Sequence, residues 1–160
     1  MISEVFKLTQ PYQATFGVNM ARISFHNEDI AFVLPQKRLH KQWIEQIALS
    51  HGKTVGELTY VFCSDEYLLE MNKAYLQHDY YTDIITFDYS HDNEVSGDLF
   101  ISIPRVKENA LKNGVSLRNE LQRVVIHGVL HLCGFKDKKK NEVEMMRKME
   151  EKALLSFPLK

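Results

Sequence analysis

The stretch LRNELQRVVIHGVLHLCGFKD, Leu117 to Asp137, decides what the rest of the chain has to build. Leu117, Leu121, Val124, Val125, Ile126, Val129, Leu130 and Leu132 put apolar side chains nearly all round a helix, which places that helix in the interior. His127 and His131 lie four apart on one face, one turn and about 6 Å along the axis. Burying two imidazoles requires partners for their ring nitrogens. Gly134 suits the left-handed residue that ends a helix, and Asp137 follows three residues later, so the returning chain can offer a carboxylate. Imidazoles at this spacing reach one ion without bending the backbone. Three protein ligands with an open position describe a catalytic zinc site. A histidine pair four apart arises often by chance, but the buried setting, the helix-ending glycine and the carboxylate together favour ligation.

The chain has 160 residues, 44% of them hydrophobic, enough for one domain with an ample core. No repeat, low-complexity tract or Pro/Gly linker divides it, so 1–160 reads as a single domain. No apolar run approaches the roughly 20 residues of a membrane span. Met1 to Gly17 carries no secretory signal pattern, and the expected location is the cytoplasm. Cys63 and Cys133 are too few for a disulfide framework and fit a reduced compartment. Cys133 falls about 240° round the helix from His127, which marks it as a small core residue facing away from the ligands. A net charge of −1 argues against a strongly basic nucleic-acid scaffold but leaves room for a local basic patch. Arg105, Lys107, Lys112, Arg118, Arg123 and the run Lys136 to Lys140 are its candidate members.

Outward from the metal helix, Ser116 is its expected cap, and Pro104 and Gly114 bracket a short helix before it. Ala21–His26, Val55–Cys63, Ile84–Tyr89 and Asp98–Ile103 read as strands, the last two joined by a hairpin loop at His91–Glu94. Pro35 suits the first turn of a helix carrying Leu39, Trp43, Ile44, Ile47 and Ala48, and Ser64-Asp65-Glu66 opens another. Asn141–Phe157 is a final amphipathic helix with Val143, Met146, Met149 and Leu154, while residues 1–20 lack clear periodicity. The order β-α-β-α-β-β-α-α-α predicts an α/β chain of the α+β type. It would have a small mixed four-stranded sheet, about five helices and the metal helix at the centre.

The residues from His127 to Asp137 resemble the signature His-Gly-x-Leu-His-Leu-x-Gly-Tyr-Asp-His of the YbeY family. Asn72-Lys73-Ala74-Tyr75 and Thr82-Asp83-Ile84-Ile85-Thr86-Phe87 resemble that family's Asn-x-x-Tyr-Arg and Thr-Asp-Val-Leu-Ser-Phe. Gly97 to Ser102 resembles its Gly-Asp-Ile-x-Ile-Ser, and Glu120 to Ile126 matches the lead-in to the first ligand. The resemblance runs from about Ala21 to Leu155. It implies a single-zinc endoribonuclease acting on single-stranded RNA in rRNA maturation, including processing of the 16S rRNA 3′ end, and in ribosome quality control. Ribosomal RNA, the ribosome or its proteins are the implied partners, and one Zn²⁺ per chain the implied cofactor.

Two positions depart from the pattern. Asp137 stands where the family usually has histidine, and a carboxylate there is expected to weaken the ion as a Lewis acid and to widen metal choice toward harder ions. Leu76 stands where the family has arginine, leaving a charge-steadying role empty or passed to Arg105, Arg123 or Lys136. No general base emerges, so water at the open position is the expected nucleophile, with Asp83, Arg105 and Arg123 as weak catalytic candidates. Glu120 lies on the His127 face but roughly 10 Å along the axis, which suits a cap or charge pair. His78 and His91 read as surface loop residues, and Tyr75, Tyr80 and Tyr81 as packing or loop anchors more readily than base-stacking platforms. A ribosome-associated assembly factor with a structural metal is the alternative reading. A peptidase of the His-Glu-x-x-His kind is disfavoured because Gly128 occupies the place of the glutamate.

Overall fold

The computed structural model describes residues 21–158 and the backbone of Glu4–Lys7. The expectation of extended or partly ordered chain over residues 1–20 lies outside the described residues, apart from that short segment, which is a strand. In chain order the elements are β1 (Glu4–Lys7), β2 (Arg22–Asn27), α1 (Lys37–Ser50), β3 (Thr54–Cys63), α2 (Asp65–Leu76), β4 (Ile84–Asp88), β5 (Glu94–Ser102), α3 (Ile103–Asn113), α4 (Leu117–Leu132) and α5 (Lys140–Leu155). The sheet runs β1-β4-β5-β3-β2. Strands β2, β3 and β5 are parallel, β4 is antiparallel to β5, and β1 is parallel to β4. The expected four-stranded mixed sheet is thus present with five helices, and β1 extends it at the β4 edge.

Strand alternation sorts the two faces. Ile84 and Thr86 of β4 point at α4, while Ile85 and Phe87 join Leu68 and Cys63 in a smaller cluster under α2. Helix α4 touches β4, β5, α1, α3 and α5. From Glu120 to Leu132 every residue except Arg123 is buried, so its apolar circumference is fully used. Tyr60 of β3 donates its hydroxyl to the Val125 carbonyl at 3.1 Å, and Trp43 of α1 donates its indole N–H to the Ala153 carbonyl at 2.9 Å. These two bonds tie α4 to the sheet and α5 to α1.

Gly128 sets how closely α4 approaches the sheet. A Cβ there would sit 2.3 Å from Leu99 Cδ2 and 2.9 Å from Ile84 Cδ1. Both neighbours are fully buried and have nowhere to go.

Two boundaries differ from expectation. Helix α1 begins at Lys37, since Gln36 adopts φ 54 and its carbonyl is the first to accept a helical bond, from His40 N at 3.1 Å. Pro35 therefore belongs to the preceding turn. Strand β5 begins at Glu94, four residues early, because Val95 and Gly97 face inward and Glu94 pairs in parallel with Thr54. The polar residues Glu94 and Ser96 occupy the outward positions, which is why that segment resembled a loop.

Candidate metal centre

The end of α4 builds half of the site from consecutive residues. Cys133 closes the helix and Gly134 follows with φ 104. Gly134 N–H donates to the His131 carbonyl at 2.9 Å and Phe135 N–H to the Leu130 carbonyl at 3.0 Å, the paired bonds of a Schellman cap. This cap aims the Phe135 carbonyl back at His131, whose Nδ1 lies 2.9 Å from it. A carbonyl can only accept, so Nδ1 is the donor in this bond and Nε2 faces His127 and Asp137. Two residues further on, Asp137 returns to the helix face.

His127 is oriented from the other side. Its Nδ1 lies 2.5 Å from Glu150 Oε1 on α5, one turn before the carbonyl that Trp43 holds. Both Nε2 atoms therefore converge. They are 3.0 Å apart, and each is 3.3 Å from Asp137 Oδ2. Tetrahedral ligands at about 2.0–2.1 Å from an ion stand about 3.3 Å from one another, so the three atoms fit the edges of one coordination tetrahedron. The donor set of two imidazoles and a carboxylate suits zinc and also harder divalent ions. Burial opposes charge on His127, yet the Asp137 and Glu150 carboxylates, with Asp83 further off, raise its pKa to about 9. An ion binding at Nε2 would displace that proton.

Glu150 is itself held in a buried cluster. Arg123 Nη1 reaches it at 3.3 Å, Arg123 Nη2 meets Glu120 Oε1 at 2.5 Å, and the same Nη2 lies 3.7 Å from Asp83 Oδ2. Burial works against the Arg123 charge, but Glu120, Glu150 and Asp83 together raise its pKa. Asp83 is raised as well, by burial, against the pull of Arg123. Its Oδ2 takes a long bond from Asn109 at 3.5 Å, and its Oδ1 has no hydrogen-bond partner among the described residues. The cluster floors a cleft of about 640 Å³ between α3, α4 and α5, lined also by Tyr81, Arg105 and Arg147.

A family model described as Endoribonuclease YbeY matches residues 22–158. The Endoribonuclease YbeY of Bacteroides thetaiotaomicron is 50% identical over 132 residues, covering 82% of this chain and 96% of that one. The chain belongs to the YbeY family. The Endoribonuclease YbeY of Phocaeicola vulgatus is 50% identical over 137 residues, covering 86% and 99% of the two chains. Among solved structures, the solution structure of TM1509 from Thermotoga maritima superposes with a TM-score of 0.56 at 28% identity, covering 82% of this chain and 88% of that one.

Within this YbeY chain, the structure brings His127, His131 and Asp137 together and separates the other candidates by role. Arg123 is buried and committed to carboxylates, and Glu120 is its charge partner. Arg105 grips Asp65 through Nη2 at 2.5 Å and Nε at 3.2 Å while lying 4.8 Å from the centre of the Tyr81 ring. Lys136 is exposed beside Asp137. Leu76 packs against the cluster of Cys63, Leu68, Ile85 and Phe87, so an apolar contact occupies the position at which the resemblance implies arginine. Cys133 packs on the main core. His91 is exposed, and His78 stacks on Tyr80 at 5.1 Å. Tyr75 contacts Phe87 edge-on at 5.6 Å.

Gly128 faces the sheet rather than the three ligand atoms, so a glutamate of the peptidase pattern has no room there. Glu150 escaped the sequence reading. Its signal was a carboxylate on the inward stripe of α5, between Met146 and Ala153, both buried.

Proposed function

We propose that this protein is a metal-dependent endoribonuclease that cleaves single-stranded RNA in rRNA maturation, with one zinc ion held by His127, His131 and Asp137. The observation that carries the metal reading is the anchoring of both Nδ1 atoms, by Glu150 and by the Phe135 carbonyl, which turns both Nε2 atoms toward Asp137 Oδ2. When bound, such an ion supplies Lewis acidity, polarising a phosphoryl oxygen and acidifying water. The chain does the rest. Glu150 accepts from His127 Nδ1 and fixes its tautomer, and Arg123, 3.3 Å from Glu150, holds that carboxylate in place. Asp83, buried at the cleft floor with a raised pKa, is the group placed to hold a proton. Arg105, tied to Asp65, lines the cleft rather than the ligand cluster.

The name shared by the relatives supports the nuclease activity. On this reading residues 1–160 form one endoribonuclease-like domain working in the cytoplasm, with rRNA and the ribosome or its proteins as partners. Among the described residues no helix is long and apolar enough to cross a membrane. The test is metal content by elemental analysis, followed by cleavage of single-stranded RNA, on wild type and Asp137→Ala side by side. About one ion per wild-type chain is expected, with clear loss of both metal and cleavage in the variant. Wild-type protein purified without chelator and found free of metal would overturn the reading.

A further inference from the structure

We infer that the cleft between α3, α4 and α5 seats the RNA strand beside the scissile bond, and that Arg147 takes one of its phosphates. This rests on the endoribonuclease reading above.

The cleft and the ligand cluster share a wall. Glu150 lines the cleft and holds His127 at 2.5 Å, so a strand lying in the cleft passes within one side chain of the ligands. Its rim offers amides from Asn109, Asn113 and Asn119, groups that pair with sugar and phosphate oxygens. Four cations line it, and three are already neutralised. Arg105 is paired to Asp65 and Glu108, Lys112 to Glu108 at 2.6 Å, and Arg123 to Glu120 and Glu150. Arg147 is exposed and forms no ion pair with a described residue. It stands three residues before Glu150 on α5, about 4.5 Å along the helix axis. Phosphate is the ligand that an unpaired guanidinium next to a phosphodiesterase site would recognise, through a two-pronged, charge-assisted contact. Glu151, exposed on the same rim, works against it and supplies the matching control.

The experiment measures binding of a short unstructured RNA by fluorescence anisotropy over a salt series, with cleavage kinetics and metal content recorded on the same proteins. Wild type, Arg147→Ala, Arg147→Lys and Glu151→Gln are compared. One phosphate contact on a single strand contributes a salt slope of about 0.7, which at 0.1 M salt corresponds to about fivefold in affinity. Arg147→Ala should therefore bind about fivefold more weakly with a slope shallower by about 0.7, raise KM more than it lowers kcat, and keep its metal. Lysine should restore the slope, and Glu151→Gln should tighten binding. Arg147 is exposed, so these changes leave the fold intact. Arg147→Ala matching wild type in affinity, slope and KM overturns the inference while leaving the nuclease reading in place. Salt-dependent RNA binding by wild type that the alanine weakens, without any cleavage, upholds the Arg147–phosphate contact but overturns the nuclease reading and, with it, the placement beside a scissile bond. Wild type that binds no RNA overturns both.

Discussion

The two histidines of the candidate metal site are held in opposite ways. His131 is fixed by the carbonyl of Phe135, four residues on and inside the same helix cap. His127 is fixed by the carboxylate of Glu150, 23 residues on and carried by another helix. A carbonyl orients an imidazole without adding charge, whereas a carboxylate also makes it a more basic ligand. That second kind of anchor has a consequence: a buried carboxylate must itself be neutralised. Arg123 and Glu120 are therefore recruited behind Glu150, with Asp83 at their side. One half of the site is built from local sequence. The other is electrostatically loaded and assembled from α4, α5 and the start of β4.

If that division is right, substitutions in the loaded half should be costly in ways the local half is not. Glu120→Ala should do the most damage, because it strips the closest partner from a guanidinium that is only 14% exposed. Removing one member of a buried pair costs about 3–5 kcal/mol, to be read from urea unfolding. A loss below about 1 kcal/mol, the range of an exposed pair, would mean that water already neutralises this cluster. Next comes Glu150→Gln, which keeps the shape of the anchor and removes its charge. It should weaken zinc binding about 10- to 100-fold in competition with a chelating dye. Unchanged affinity would show that His127 needs only to be oriented, as His131 is, and would erase the contrast between them. A smaller effect is expected at Gly128. Alanine gains about 0.5–1 kcal/mol of helix propensity there but overpacks a full interface at about 1–3 kcal/mol. Net destabilisation is the expected result in the same unfolding assay, and a stabilised protein would show that Leu99 and Ile84 can give way.

The same division explains what could be read from the chain. Leu117–Leu132 fell where the apolar pattern put it, and Ser116 capped it, accepting from Asn119 N–H at 3.1 Å. His131, Gly134 and Asp137 were legible because the cap that joins them is contiguous, and Schellman geometry follows from one glycine. Glu150 was not legible in the same way. Its meeting with His127 spans 23 residues and two helices, and α5 is further tied to α1 by Trp43 reaching Ala153, a contact across 110 residues that no local pattern encodes. Arg123 looked like a spare cation for substrate because only Glu120, on its own helix, is local, while Glu150 and Asp83 reach it from distant parts of the chain. The missed start of β5 has another cause. Glu94 and Ser96 are half-exposed strand residues whose partner is the distant β3, and polar residues on an outward face carry no strand signal of their own.

Gly134 closes the comparison from the local side. Its φ of 104 is one that side chains avoid, yet no atom lies within 4 Å of where a Cβ would stand. Alanine would therefore meet backbone strain without collision. That strain is worth roughly 1–2 kcal/mol, reduced by roughly 0.4–1 kcal/mol because alanine also restricts the unfolded chain. About 1 kcal/mol of destabilisation is expected in urea unfolding. The Phe135 carbonyl stays hydrogen-bonded to His131 as long as the cap holds, so zinc affinity should change less than the roughly tenfold minimum set for Glu150→Gln. Should Gly134→Ala instead cost as much affinity as Glu150→Gln at similar stability, the cap would be tuning the metal as strongly as the carboxylate. The two histidines would then have to be treated as one mechanically coupled unit.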